Sequence, residues 1–186
     1  FLNIFPMKIK NFKSFNESKS GDLYDYGCVM VYLNIPNWEN LVTKISEEEL
    51  YMKEDPTYGY ETSPHCTILY GLHSDVSDED VTSVFKDISK NDISLEINGI
   101  GFFDGKDYDV VNMNVKSDKL TELNSRLSKL PHTTDYPDYH PHVTMAYVLN
   151  GNGEKYVNPN FQLRFNRIDK ITYTKTNGEE LEIPLR

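Results

Sequence analysis

Two seven-residue segments of the chain carry the same pattern, 77 residues apart along the sequence. They read PHCTILY at 64–70 and PHVTMAY at 141–147. Proline, histidine, threonine and tyrosine recur at the same four of the seven positions, and the variable positions are mostly apolar. This agreement, which includes the rare residue histidine, indicates two related halves that each contribute one copy of the motif to a shared site.

A β-strand conformation of both segments would place the histidine and threonine of each motif side by side. Successive side chains of a strand point to opposite faces of the sheet. His65 therefore shares a face with Thr67, and His142 shares a face with Thr144. The apolar residues between them are expected to point into a core, and they are Cys66, Ile68, Val143 and Met145.

Two such faces that meet across a cleft bring together two imidazoles and two hydroxyls. One imidazole can accept a proton while the other donates one near neutral pH. Threonine hydroxyls can donate hydrogen bonds to the non-bridging oxygens of a phosphate. Phosphodiester cleavage without a metal ion needs these groups, so we predict that His65, Thr67, His142 and Thr144 are catalytic and that the protein uses no cofactor. The symmetry of the motif leaves open which histidine is the base.

Hydrophobic periodicity predicts strands and helices mixed along the chain. The predicted strands are 26–34, 65–72, 93–103, 108–115, 142–149, 161–165, 170–175 and 180–184. The predicted helices are 38–45, a helix capped by Ser77, and a helix behind Ser117 that Pro131 ends. Such an order favours an α+β fold with antiparallel sheet over a parallel doubly wound fold. We expect residues 1–22 to be a loosely held arm and residues 23–186 to be one domain.

The paired motifs resemble those of the two-histidine (2H) phosphoesterase superfamily, from about Tyr26 to the C-terminus. The resemblance implies a bilobal α+β fold with a pseudo-twofold axis, in which two antiparallel sheets form a central cleft and the helices lie outside. It implies metal-independent cleavage of 2′,3′-cyclic phosphates or of oligonucleotide phosphodiesters. The run PHCTILYGLH at 64–73 is most similar to the phage-encoded branch, which includes the anti-CBASS enzymes that linearise cyclic nucleotide signals of bacterial defence.

The charge of the chain narrows the class of substrate. With 19 basic and 29 acidic residues, the formal net charge is −10. Such a chain repels long DNA or RNA, but it can hold a small anion by hydrogen bonds in a pocket. We therefore expect a small cyclic nucleotide or a short oligonucleotide as the partner. Candidates for stacking on its nucleobases are Tyr32, Tyr58, Tyr60, Tyr136 and Tyr139. By strand alternation, Tyr70 and Tyr147 are expected to point away from the histidine face and into the core.

Three other interpretations remain open at this point. The motifs also suit a housekeeping enzyme that opens 2′,3′-cyclic phosphates at RNA ends. A non-catalytic module that sequesters nucleotides is a further alternative, although two complete motifs speak against it. His140 and His142 form an H-x-H pattern that can hold a metal ion. Since no third ligand lies at a matching spacing, we predict no metal site.

The remaining sequence features bear on the cellular location of the protein. Cys28 and Cys66 lack a metal-binding spacing and favour a reducing environment. No apolar run approaches the roughly 18 residues of a membrane span, and the first residues do not resemble a secretory signal. Met7 is a candidate initiator, with residues 1–6 as a remnant of upstream sequence. We expect no membrane partner and a cytoplasmic location, in the host cell if the protein is phage-encoded.

Overall fold

The computed structural model describes residues 24–52, 58–134 and 138–186. The expected N-terminal arm and Tyr136 lie outside these residues. The strands are β1 (Gly27–Tyr32), β2 (His65–Leu72), β3 (Leu95–Phe103), β4 (Tyr108–Lys116), β5 (His142–Leu149), β6 (Asn158–Phe165), β7 (Lys170–Thr174) and β8 (Glu180–Pro184). The α-helices are α1 (Trp38–Val42), α2 (Asp78–Ser83) and α3 (Asp118–Leu127), and short 3₁₀ turns lie at Glu47–Glu49 and Glu154–Tyr156. No helix in this part of the chain is both long and apolar enough to cross a membrane.

The strands form one sheet of eight, in the order β6-β3-β4-β5-β2-β1-β7-β8. Every neighbouring pair is antiparallel, so the predicted α+β class with antiparallel pairing is confirmed. The expectation of two separate sheets is wrong. The two motif strands are the innermost strands of their halves, and β2 pairs with β5 at Cys66 and Val143. This pair joins the halves β6-β3-β4-β5 and β2-β1-β7-β8 into a continuous sheet.

The core lies between one face of this sheet and the helices. The four apolar motif residues that were expected to point inward all belong to it, as do Leu120, Leu123 and Leu127 of α3. Ser117 begins α3, where its Oγ accepts a hydrogen bond from the backbone N–H of Leu120. The side-chain amide of Asn124 donates to the carbonyl oxygen of Ile68 at 2.7 Å. Helix α3 is thereby fixed directly behind the first motif strand.

The pairing of β2 with β1 is interrupted within the first motif. Val29 pairs with Leu69, whereas the next residue of β1, Met30, pairs with Thr67. Ile68 is therefore an extra residue of β2, which is the definition of a β-bulge. A bulge of this kind bends its strand and changes which face the following side chains occupy.

The second motif carries a bulge at the same position. Val111 of β4 pairs with Ala146 of β5, and its neighbour Asn112 pairs with Thr144. Met145 is thus the extra residue of β5 and corresponds to Ile68 in the first copy. Bulges are frequent next to active sites, because they redirect side chains.

Each bulge reverses the alternation for the residues that follow it. Accordingly, two consecutive side chains of each strand lie in the core, and they are Ile68 with Leu69 and Met145 with Ala146. The expectation that Tyr70 and Tyr147 point away from the histidine face is therefore wrong, although the expectation that Tyr147 is buried is confirmed. Tyr70 is half-buried, with its ring 5.9 Å from that of Tyr26. Tyr147 is buried in a second apolar cluster with Tyr51, Tyr108 and Val110.

Candidate active site

The four residues predicted to be catalytic lie side by side at the centre of the sheet. His65 is the first residue of β2, and His142 is the first residue of β5. Because these antiparallel strands pair at Cys66 and Val143, His65 lies opposite Thr144 and His142 lies opposite Thr67. Cys66 and Val143 face the core, so the histidines and threonines share the opposite face of the sheet.

Both imidazoles are held by the same hydrogen bond. Nδ1 of His65 lies 2.8 Å from the carbonyl oxygen of Ser63, and Nδ1 of His142 lies 2.8 Å from that of His140. A carbonyl oxygen only accepts, so each Nδ1 carries the hydrogen and donates it. In the neutral rings Nε2 is then the basic atom, and it is the atom left for proton transfer.

The environment of His142 favours its neutral form. The pKa of His142 is lowered from the ordinary value of 6.5, chiefly because burial disfavours the charged imidazole. The carbonyl of His140 acts in the other direction and raises the pKa, whereas positive charge on His65 or on His140 lowers the pKa further. The effect of His65 means that the two motif imidazoles interact electrostatically across the two strands.

An aromatic ring stands beside each histidine. The ring centroid of Tyr32 lies 5.9 Å from that of His65, with the planes at 65°. On the other side, the ring centroid of Phe103 lies 4.8 Å from that of His142, with the planes at 88°. Tyr32 is 37% exposed, and its hydroxyl donates to Oε1 of Glu180 at 3.2 Å. Of the stacking residues predicted within the described part of the chain, Tyr32 is the one that stands at the rim of the site.

The threonines differ in their surroundings from free surface hydroxyls. Thr67 and Thr144 are each only 7% exposed. Among the described residues, Oγ1 of Thr67 has no hydrogen-bond partner of normal geometry. It lies close enough to Cys28 to lower the pKa of that thiol, which burial raises to about 12. The hydroxyl of Thr67 is thus buried on the face of the imidazoles, with the thiol of Cys28 beside it.

The remaining predicted stacking residues make structural contacts. Tyr58 packs against three tyrosines, with ring centroids 4.9, 5.1 and 5.3 Å away: Tyr51, Tyr108 and Tyr147. The hydroxyl of Tyr60 donates to the carbonyl oxygen of Ile45 at 2.6 Å. The hydroxyl of Tyr139 donates to the carbonyl oxygen of Thr67 at 2.9 Å. The structure therefore brings Tyr58, Tyr60 and Tyr139 into packed positions around the site rather than to its rim.

Tyr139 links the two copies of the motif. Its hydroxyl is bound to Thr67 of the first copy, and the next residue, His140, supplies the carbonyl that orients His142 of the second copy. Burial raises the pKa of Tyr139 well above its ordinary value, so the phenol stays neutral and remains a donor. The sequence predicts a stacking role for Tyr139. Its partner in the structure, the carbonyl of Thr67, lies 72 residues away and leaves no local pattern in the sequence.

Three neighbours of the site were not singled out from the sequence: Phe103, Glu180 and Asn114. Asn114 of β4 pairs with His142. These residues come from strands without a motif, so no local signal marks them.

A metal site on His140 and His142 would need further ligand side chains close by. Within residues 24–52, 58–134 and 138–186, no three His, Cys, Asp or Glu side chains converge as metal ligands do. The described contacts give His140 a carbonyl that accepts from His142 and a ring whose charge lowers the pKa of His142.

Comparisons with known proteins place this site in context. Residues 34–174 match the family described as the 2′-5′ RNA ligase superfamily. No curated protein matches the chain.

Solved structures share the fold at low sequence identity. Usb1 of Kluyveromyces marxianus has a TM-score of 0.57 and 9% identity, covering 87% of this chain and 99% of that chain. TT0787 of Thermus thermophilus has a TM-score of 0.58 and 13% identity, covering 87% of this chain and 99% of that chain. K. marxianus Usb1 with uridine monophosphate has a TM-score of 0.51 and 9% identity, covering 87% of this chain and 98% of that chain.

Proposed function

The chain belongs to the 2′-5′ RNA ligase superfamily of 2H phosphoesterases, and from this premise we propose that it is a metal-independent phosphodiesterase that hydrolyses small cyclic nucleotides. The observation that carries the proposal is the crossed arrangement at the centre of the sheet. His65 lies opposite Thr144 and His142 opposite Thr67, and both imidazoles present Nε2 because a carbonyl holds each Nδ1. Two proton carriers and two hydroxyl donors then surround a single phosphate.

Burial favours the neutral form of His142, which is the form that accepts a proton, so we propose His142 as the base and His65 as the acid. Nε2 of His142 takes the proton of the attacking hydroxyl, and the oxygen of that hydroxyl forms a new bond to phosphorus. The bond from phosphorus to the leaving oxygen breaks, and that oxygen takes the proton from Nε2 of His65. The threonine hydroxyls donate to the non-bridging oxygens, whose charge grows in the transition state.

Charge and stacking support a small cyclic substrate. A net charge of −10 opposes a long nucleic acid, and Glu180 adds a carboxylate at the rim beside Tyr32. The exposed ring of Tyr32 suits one stacked nucleobase. We extend the proposal, through the resemblance of residues 64–73 to the phage-encoded branch, to the degradation of CBASS cyclic nucleotide signals in the host cytoplasm.

A panel of substrates tests this function. Purified protein is incubated with cyclic di- and trinucleotides, with nucleoside 2′,3′-cyclic phosphates and with a linear RNA, and the products are separated by chromatography. We expect linearised products from the cyclic oligonucleotides. Reaction in ¹⁸O-labelled water distinguishes attack by water, which adds label to the phosphate, from attack by a ribose 2′-hydroxyl, which leaves an unlabelled 2′,3′-cyclic phosphate. If the protein cleaves none of these substrates, the proposal is wrong.

A second candidate function is the processing of RNA ends, which the panel separates from the first. It is favoured by the family to which the chain belongs and by the uridine monophosphate present in one structure of Usb1. In that case nucleoside 2′,3′-cyclic phosphates or RNA termini react and cyclic oligonucleotides do not. Tight binding of cyclic nucleotides without turnover indicates the third alternative, a module that sequesters them.

A further inference from the structure

We propose that Glu61 is a positioning residue for His65, and that it ties the orientation of this imidazole to the second copy of the motif. Glu61 lies three residues before Pro64, the first residue of the first motif. The inference rests on the proposed function in one respect, namely that His65 transfers a proton through Nε2. It deepens that function by naming a residue outside both motifs on which the proposed acid depends.

The ring of His65 is oriented by one carbonyl group. Nδ1 of His65 lies 2.8 Å from the carbonyl oxygen of Ser63. This contact selects the neutral tautomer that carries its hydrogen on Nδ1, and it leaves Nε2 for proton transfer. A carbonyl of Ser63 that pointed elsewhere would release Nδ1, so that the ring could rotate or change its tautomer. The direction of this carbonyl therefore decides whether His65 presents the correct atom.

Ser63 is restrained on both sides. Its backbone N–H donates to Oε1 of Glu61 at 2.8 Å. On the other side, Ser63 precedes Pro64, and a residue before proline is biased toward extended conformations. Pro64 is fixed in turn, because its carbonyl oxygen accepts from the backbone N–H of Leu33 at 2.9 Å. The carboxylate of Glu61 is thus the side-chain contact that helps to direct the carbonyl of Ser63 toward the imidazole.

The backbone of Glu61 is anchored as well. Its carbonyl oxygen accepts from Nε1 of the buried Trp38 at 2.7 Å. Its backbone N–H donates to the carbonyl oxygen of Met145 at 2.9 Å. Glu61 is half-buried, and a hydrogen bond that is partly shielded from water is stronger than one in bulk solvent. A carboxylate on such a fixed backbone can hold the next turn of the chain in place.

The contact with Met145 crosses from one motif to the other. Met145 is the bulge residue of the second motif strand, so Glu61 connects the second copy to the histidine of the first. Tyr139 makes the opposite connection. Its hydroxyl binds Thr67 of the first copy, and the residue that follows it supplies the carbonyl that holds the second histidine. Each histidine is therefore oriented by the residue before its motif proline, within a segment that is hydrogen-bonded to the other copy.

Two substitutions of Glu61 separate its hydrogen bond from its charge. Glu61→Ala removes the acceptor for the N–H of Ser63, whereas Glu61→Gln keeps an Oε1 acceptor and removes the charge. For Glu61→Ala we expect kcat to fall roughly tenfold with little change in KM, because a misdirected imidazole impairs proton transfer rather than binding. Glu61→Gln should recover most of the lost kcat.

Asp92→Ala is the matched control. Oδ2 of Asp92 also accepts from the backbone N–H of a serine, Ser89, at 2.7 Å, but the pair lies between α2 and β3. We expect this variant to keep the kcat of the wild type. Thermal unfolding shows whether each variant is folded. If the alanine variant of Glu61 does not fold, Glu61→Met takes its place, because it keeps the length of the side chain without an oxygen acceptor.

The decisive measurement reads the tautomer of His65 directly. Long-range ¹H–¹⁵N NMR spectra of the full chain with ¹⁵N-labelled histidine show which ring nitrogen carries the hydrogen. In the wild type at a pH where the ring is neutral, we expect the hydrogen of His65 on Nδ1. In Glu61→Ala we expect a mixture of the two tautomers for His65, while His142 keeps its hydrogen on Nδ1. Glu61→Gln and Asp92→Ala should match the wild type.

The outcomes separate this inference from the proposed function. An unchanged tautomer of His65 in Glu61→Ala overturns the positioning role even if the enzyme cleaves cyclic nucleotides. A Glu61→Gln variant as impaired as Glu61→Ala also overturns it, because the charge rather than the hydrogen bond would then matter. A tautomer change confined to His65, in a protein that cleaves none of the substrates, supports the positioning role while the proposed catalysis fails.

Discussion

Ile68 and Met145 are the extra residues of two β-bulges that occupy the same position in the two motif strands. Each lies three residues after its histidine. The side chains of each strand therefore alternate regularly from the histidine to the threonine, and the alternation is reversed after the bulge. The histidine and threonine of each motif thus share one face of the sheet, while both residues at each bulge pack into the core on the other face. This shared irregularity is a structural counterpart of the sequence repeat.

Removal of either imidazole should abolish most of the phosphodiesterase activity. For His65→Ala and His142→Ala we expect losses of about 10²–10⁴-fold each, because each removes one proton carrier. The double variant should be hardly worse than either single variant, since the two residues act as a unit. His132→Ala is a matched control, because Nδ1 of His132 also lies 2.9 Å from the carbonyl oxygen two residues before it. Near-full activity in either single variant contradicts the pairing.

The threonines should matter less than the histidines. Thr67→Val and Thr144→Val each remove one hydrogen bond to a charged oxygen, worth about 1.5–3 kcal/mol. We expect turnover to fall roughly ten- to a hundredfold for each variant, with the fold retained because valine suits a strand. Steady-state kinetics and thermal unfolding measure the two effects. A threonine variant as inactive as a histidine variant would assign the hydroxyl a larger role.

The acid limb of the pH profile should follow His142. Because the pKa of His142 is lowered by burial first and by the charge of His65 second, the base stays neutral below the ordinary value of 6.5. The kcat/KM should therefore persist to lower pH than an ordinary imidazole allows. In His65→Gln, one of the charges that lower the pKa of His142 is gone, so NMR titration should show that pKa moving upward. An unchanged or lower pKa would argue against the electrostatic link.

The lowered pKa of His142 also makes the stability of the protein depend on pH. A folded state that disfavours protonated His142 binds fewer protons than the unfolded chain, so the free energy of unfolding falls as the pH drops from about 6.5 toward the lowered pKa. Above that window the contribution is fully present.

Activity should survive a chelator. The proposed mechanism moves protons between side chains, so excess EDTA should leave the rate of cleavage unchanged, as measured by the same chromatographic assay. Loss of activity in EDTA that a divalent ion restores would instead revive His140 and His142 as metal ligands and overturn the mechanism.

The hydroxyl of Tyr139 should act as a positioning group. Tyr139→Phe frees the segment that carries the carbonyl of His140 from Thr67. We expect a severalfold fall in kcat and a shifted acid limb, because the orientation of His142 loosens. Tyr60→Phe is the matched control, since it also removes a hydroxyl bound to a backbone carbonyl. Both variants should lose about 1 kcal/mol of stability, and equal kinetic effects would deny Tyr139 a specific role.

The local rules of strand structure were sufficient to predict the arrangement of side chains within each motif. Alternation placed His65 with Thr67 and His142 with Thr144, and both strands begin and end where the pattern predicts. The core positions of Cys66 and Val143 follow from the same rule. These features depend on neighbours along the chain, which a sequence displays directly.

Tertiary structure decided how the two motifs meet. Joining β2 to β5 at Cys66 and Val143 made one sheet where two were expected. The bulge at Met145 exists only relative to Val111 and Asn112 of β4, so it turned Tyr147 to the unexpected face. Asn114 likewise reaches His142 through strand pairing. Such relationships are set by which strands hydrogen-bond across long sequence separations, and that choice depends on packing of the whole chain rather than on any local pattern.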